Sequence, residues 1–177
     1  MLISDAQADL RRAYTDGGPG VIVSGLVWLA AWVAESRGGI ATGFAVLFFG
    51  GMIIYPVSLF ANRALLRRKS EAKGNPGGPL VMESTIAMIA GLFAAFLFLD
   101  HAPQWVMPLA AIMVGTHYFA FRTAYGDRSF WLLATLVTLV GFADIYPVLP
   151  LAGPVSLHVA AIELLFGMAL TWRGVRA

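Results

Sequence analysis

The stretch GNPGGPLVMESTIAM, Gly74 to Met88, decides how the rest of the chain is read. Its first part gathers Gly74, Pro76, Gly77, Gly78 and Pro79, a signal for a break in regular structure. Its second part opens an apolar run that reaches Leu99 and carries a single charge, Glu83. A run of that kind matches the ~20-residue helix needed to cross a hydrocarbon core of about 30 Å. Proline just after the glycines is ordinary helix-start chemistry.

The same pattern extends in both directions. Apolar runs bounded by charge or by Gly and Pro lie at Gly18 to Ala34, Ile40 to Phe60, Leu80 to Leu99, Trp105 to Phe121, Phe130 to Val148 and Val155 to Trp172. The chain of 177 residues is 59% hydrophobic and 12% charged, with a mean hydropathy of +0.76. An ordinary soluble domain carries roughly 25% charged residues. The expectation is an all-α membrane protein, a bundle of six transmembrane helices. It divides into an amphipathic segment over 1–17, a transmembrane domain over 18–172 and a tail over 173–177.

The positions of the basic residues give an orientation, because Lys and Arg accumulate in short cytoplasmic loops. Of the 12 Lys and Arg, all but Arg37 fall on one side of a six-span path: Arg11, Arg12, Arg63, Arg67, Arg68, Lys69, Lys73, Arg122, Arg128, Arg173 and Arg176. Both termini are thereby expected in the cytoplasm. Trp28, Trp32 and Trp105 would sit near the outer interface and Trp172 near the inner one. Residues 1–17 read as a short interfacial helix, with Ser4 and Gln7 at capping-box spacing. Their charges lack the basic start and apolar core of a cleaved export signal.

Several function classes fall away. With no cysteine, thiol redox chemistry, thiolate nucleophiles, zinc-thiolate and iron-sulfur sites are excluded. No cofactor is implied. The basic residues are explained by topology and no recognition motif accompanies them, which sets nucleic acid aside.

IYPV occurs at Ile54 to Val57 and again at Ile145 to Val148, in spans two and five. Those spans run in opposite directions, as two inverted three-helix repeats would require. Gly39, Gly43 and Gly50 fall on roughly one face and include a GxxxG spacing, a mark of close helix packing within the bundle or in a homo-oligomer. Pro56 and Pro147 would kink or end their helices.

Ionisable groups inside a span are expensive and are functional candidates by default. Glu83, near the start of span three, also compensates the positive end of the helix dipole. Ala87, Gly91 and Ala95 follow it at four-residue steps, so it is expected to face other helices. Tyr55, Glu83, Ser84, Thr85, His117 and Tyr118 reach one level and form a candidate polar cluster. Asp144 and His158 flank the last connection and would face each other near the outer surface. Glu163 lies midway along span six without a partner on its own helix. It must be met from another helix or carry a proton. Together these groups sketch a titratable ladder, set against the plainer reading of interhelical hydrogen bonds worth about 0.6 kcal/mol each. No metal site is proposed.

At GGPGVIVSGLVWLAAW, KGNPGGPLVMEST and THYFAFRTAYGDRSFW the chain resembles a family of small bacterial six-helix integral membrane proteins of unknown function. The resemblance covers most of the length and implies a bacterial cytoplasmic-membrane location. It carries no activity, cofactor or site residue.

Three functions compete. The first is a transporter or channel for a proton, a cation or a small polar solute, with Glu83, His117 and Glu163 as its groups. The second is a membrane-embedded lipid-modifying enzyme, against which no HExxH, GxSxG or paired-aspartate signature appears. The third is a noncatalytic assembly partner. An enzyme is the less favoured reading, and membrane lipids are the expected surroundings.

Overall fold

The computed structural model describes residues 1–146 and 152–176. Among them every regular element is helical and there is no strand: α1 (Ile3–Tyr14), α2 (Gly18–Phe60), α3 (Gly77–Phe96), α4 (Val106–Tyr125), α5 (Ser129–Ile145) and α6 (Val155–Arg176). The all-helical expectation holds. Three helical stretches, Ile3–Leu65, Gly77–Phe96 and Val155–Arg176, are long and apolar enough to cross a membrane, and α5 is apolar but shorter. The second IYPV copy reaches past Tyr146, so its end and Pro147 lie outside the described residues.

The stretch from Ile3 to Leu65 is not one rod. Thr15, Asp16 and Gly17 all have positive φ and set α1 at an angle to α2. Inside α2, Gly39 has φ +78° and ψ 178°, a region essentially reserved for glycine. The chain reverses there. Gly43 lies against Ala31 and Glu35, Gly50 against Val27, and Gly20 near Ser58, so residues 18–38 and 40–60 run antiparallel. An added Cβ at Gly39 would meet nothing within 4 Å. The glycine is therefore needed for its backbone angles and not for space.

That reversal gives these glycines roles inside the chain, the first of the two readings their spacing allowed. Gly43 and Gly50 are consumed by packing within the chain, and Gly39 is the bend itself. Pro56 does not end its helix, because α2 continues to Phe60.

The remaining helices pair through small residues. Residues 18–38 run antiparallel to α6, where Gly18 meets Thr171, Ile22 meets Gly167, Gly25 meets Leu164, and Thr15 meets Gly174. Between α4 and α5, Gly115 meets Thr138 and Gly141 meets Pro108 and Ile112. Gly91 of α3 meets Met113 of α4. Close backbone approach of this kind is how helices associate where hydrophobicity offers no drive between them.

Trp28 departs from the interfacial belt expected for it. It is only 1% exposed, inside the core with Val21, Ala31, Phe44 and Val159. The outer arm of α2, residues 40–60, is thinly covered, with Phe49, Met52, Ile53, Tyr55 and Phe60 exposed. Between that arm and α3 runs an aromatic groove of about 220 Å³ walled by Phe44, Phe48, Phe93 and Phe96.

One end of the bundle carries both chain ends and is closed by α1, whose Ala6, Leu10 and Ala13 are buried. Gln7 donates to the Thr123 carbonyl (2.9 Å) and Arg11 to the Tyr125 carbonyl. Asp9 accepts from the Ala72 N–H (2.7 Å) and from Asn75 (2.9 Å). The capping box expected from Ser4 and Gln7 does not form: Leu2 is the N-cap, and Gln7 is drawn to another helix instead. α1 is a clasp on the bundle, fastened to carbonyls of the last turn of α4, which have no donor within their own helix.

Candidate functional site

Glu163 is completely buried, at 0% exposure. The face of α6 that carries it also carries Ser156, Val159, Ala160, Gly167, Leu170 and Gly174, all buried. Gly167, one turn on, rests on the main chain of Ile22, so α2 comes close enough to shut Glu163 away from any solvent. From α4, Tyr118 donates its hydroxyl to Glu163 Oε1 at 2.9 Å. Tyr118 is itself buried. The Ser24 hydroxyl of α2 faces both groups. It does not close a hydrogen bond to Oε2, which has no partner among the described residues.

The partner expected from another helix is thus Tyr118, with Ser24 beside it. Ser24 was missed because a lone serine in an apolar run carries little weight. The signal was nonetheless present, since Val21, Ser24, Trp28 and Ala31 recur at helical spacing and all are buried.

Tyr118 also links the site mechanically to the clasped end. Its ring packs edge-on to Phe121 (5.4 Å between centroids), and Phe121 stacks on Tyr125 at 5.9 Å. Tyr125 supplies the carbonyl that Arg11 holds. An aromatic column therefore runs from the buried carboxyl to α1.

The inner polar cluster expected from the sequence is divided by helix geometry. His117 and Tyr118 are neighbours on α4 and point to different helices, His117 toward α3 and Tyr118 toward α6. His117 Nδ1 lies 2.8 Å from Ser84 Oγ, and its ring packs edge-on to Phe121 at 4.7 Å. Ser84 Oγ is also 2.9 Å from the Val81 carbonyl. The hydroxyl has one proton to give, so Nδ1 donates to Ser84 where that proton goes to the carbonyl and accepts where it goes to the ring.

Glu83 does not face the bundle. It is exposed beside Met82 and Ile86, because Ser84 and not Glu83 occupies the face that α3 turns to α4. The stripe at four-residue steps winds inward only further along, where Gly91 meets Met113 and Ala95 is buried. Tyr55 is 61% exposed and makes no hydrogen bond to Glu83, Ser84, His117 or Tyr118 among the described residues. Thr85 bonds the Val81 carbonyl of its own helix.

At the opposite end, Asp144 is exposed, and His158 Nδ1 lies 2.9 Å from the Pro154 carbonyl. No ion pair joins Asp144 to His158 among the described residues. The imidazole satisfies a carbonyl at the start of α6 in place of the carboxylate. Glu35 instead finds a partner there that the sequence did not suggest, accepting from Ser156 Oγ at 2.6 Å.

The clasped end holds the charged network. Arg173 bonds Asp16 at 3.0 Å and also Asp127, while Thr15 donates to Asn62 at 2.7 Å. Burial pushes the Asp127 carboxyl up, but the Ser129 backbone N–H and hydroxyl and the Arg173 guanidinium more than offset this and hold it below the usual carboxylate value. Asp9 behaves likewise. Burial raises it, and donors from Ala72, Asn75 and Arg12 bring it below the ordinary value.

Among the described residues no group of three or more His, Cys, Asp or Glu is placed to hold a metal ion. The chain belongs to a family of unknown function (DUF7010), whose model matches residues 3–173. No curated protein and no solved structure matches it.

Proposed function

We propose that the protein is an integral membrane protein of six spans with both termini in the cytoplasm, and that it moves protons, alone or coupled to a small solute, through protonation of Glu163. Counting residues 18–38 and 40–60 separately across the Gly39 reversal supports two spans in that stretch beside α3 and α6, and six spans require that α4 and the shorter α5 cross as well. A 43-residue helix would otherwise be about 65 Å long, roughly twice the hydrocarbon core. The clustering of basic residues at the clasped end supports its cytoplasmic placement. The inverted-repeat reading has one support in packing. Exchanging the first three spans with the last three maps the one-two pair onto four-five, and the three-four pair onto six-one.

The observation that carries the function is Glu163 itself. A carboxylate in so dry a place, with one oxygen unpartnered and no cation against it among the described residues, has a large desolvation penalty that a bound proton removes. A proton needs no cavity, whereas a larger cation would have to open one. The exposed Glu83 and the separately bonded His117 are entry groups at most. Ser84 and His117 give the lipid-enzyme reading its one specific support, a hydroxyl against an imidazole, but no carboxylate orients that ring among the described hydrogen bonds.

The test is pH-gradient dissipation in proteoliposomes, with and without a panel of small amines, amino acids and alkali cations. Glu163→Gln at matched folded protein should abolish flux while Glu83→Gln retains it. Wild-type flux indistinguishable from empty vesicles under every condition would overturn the proposal.

A further inference from the structure

The clasped end contains a second site, lined by residues other than those around Glu163. A cavity of about 260 Å³ is lined by Ala8, Arg11, Arg12, Asp16, Arg68 and Gly174. That is many times the ~30 Å³ share of one water. Four separate segments meet there: α1, the bend after it, the loop after α2 and the end of α6.

The charges around it are not balanced. Asp16 is taken by Arg173 at 3.0 Å, and Arg12 is taken by Asp9 at 2.5 Å. Arg11 and Arg68 have no carboxylate partner among the described residues. Arg11 donates only to the Tyr125 carbonyl, and Arg68 only to the Gly174 carbonyl at 2.6 Å. A guanidinium has five N–H donors, so most of theirs remain available. Arg68 Nε is buried with no hydrogen-bond partner, so the donors open to a ligand are the terminal N–H groups of Arg68 and Arg11.

The geometry points to a binding site for a phosphate group between Arg11 and Arg68. Two guanidiniums without a carboxylate partner, lining one open cavity, favour a compact, multiply accepting anion, and the planar fork matches phosphate oxygens two at a time. Arg12 can add a donor at the rim. Occupancy would tie α1 to the end of α6 and complete the closure of that end. The phosphate can belong to free inorganic phosphate or to the headgroup of an anionic phospholipid, since the recognising chemistry is the same.

The experiment uses the full chain. Purified protein in detergent is titrated with inorganic phosphate and followed by thermal unfolding, which reports binding to the native state by mass action. In parallel, protein extracted from phosphatidylglycerol or phosphatidylcholine vesicles is analysed by native mass spectrometry for retained lipid. Saturable stabilisation by inorganic phosphate identifies the free anion. Retention of phosphatidylglycerol over phosphatidylcholine, without a phosphate response, identifies the headgroup. In either arm Arg68→Gln and Arg11→Gln should weaken binding about tenfold or more, as loss of a charge-assisted fork implies. Arg128→Gln, at an exposed arginine that does not line the cavity, should not. Ala8→Trp fills the space while leaving every charge in place and should also abolish binding, so a poorly folding arginine variant does not decide the matter. Neither ligand binding to the wild type, or equal weakening by Arg128→Gln, would overturn the assignment. Because the readout is binding and not flux, this result is independent of the Glu163 proposal.

Discussion

Gly167 on α6 rests directly on Ile22 of α2: a Cβ added to Gly167 would fall 2.7 Å from the Ile22 main-chain nitrogen. Neither backbone can yield without opening the interface that buries Glu163. Overpacking of this kind typically destabilises by about 1–3 kcal/mol, so Gly167→Val should lower the unfolding midpoint in detergent. Gly51→Ala is the control, because an added Cβ there meets nothing within 4 Å and should leave the midpoint nearly unchanged.

Tyr118→Phe removes the one hydrogen bond seen at the buried Glu163 carboxyl. Leaving a buried polar group without its partner costs about 1–3 kcal/mol. The variant should therefore melt earlier than wild type. In a Glu163→Leu background the same change should do much less, since no carboxyl remains to be deprived. A double-mutant cycle of thermal or denaturant unfolding reads that coupling directly, and purely additive effects would mean the two side chains do not meet.

The reversal at Gly39 makes a separate prediction. Its φ of +78° with ψ of 178° is strained for any residue with a Cβ, by about 1–3 kcal/mol, so Gly39→Ala should destabilise although there is open space around it. The folded-back arms also place Val27 against Gly50. The chain has no cysteine, so a Val27→Cys, Gly50→Cys pair should crosslink within one chain under mild oxidation, which a straight α2 would not allow.

Much of the architecture was legible because apolar runs and Gly/Pro breaks are properties of the linear sequence. The helices over Gly77–Phe96 and Val155–Arg176 follow from it directly. The facing of individual side chains was less legible. Glu83 and Ser84 are adjacent, and which of the two meets α4 is set by where Gly91 lets Met113 in, a fact of packing that a four-residue periodicity cannot resolve. For Glu163, the need for an interhelical partner could be read, but not which helix would supply it. Tyr118 and Ser24 lie on helices whose neighbours are fixed only by the fold. The clasp was missed for a different reason. Residues 1–17 read as an interfacial helix beside the bundle, whereas Gln7 and Arg11 fasten α1 to the Thr123 and Tyr125 carbonyls.

Asp9 and Asp127, both outside the proposed spans, have carboxyls held below their ordinary values. Their contribution to stability is therefore fully present above the unfolded value near ~3.9 and is lost as pH falls through the lower folded values. Acidification from neutrality should leave the clasped end intact until below about pH 4, and then release α1 before the bundle melts. Hydrogen exchange of α1 amides across that range checks this. Asp9→Asn should flatten the pH dependence, because the titrating group is gone.

The central claim is that Glu163 exchanges a proton inside the bundle. Infrared difference spectroscopy of reconstituted protein, stepped in pH and compared with Glu163→Gln, tests it most directly. The account predicts a protonated-carboxyl C=O band that appears and disappears reversibly with pH, is absent from Glu163→Gln, and shifts in Tyr118→Phe because its hydrogen bond is lost. A spectrum in which no reversible carboxyl band depends on Glu163 would contradict it, and would leave Glu163 a fixed structural bond between α4 and α6.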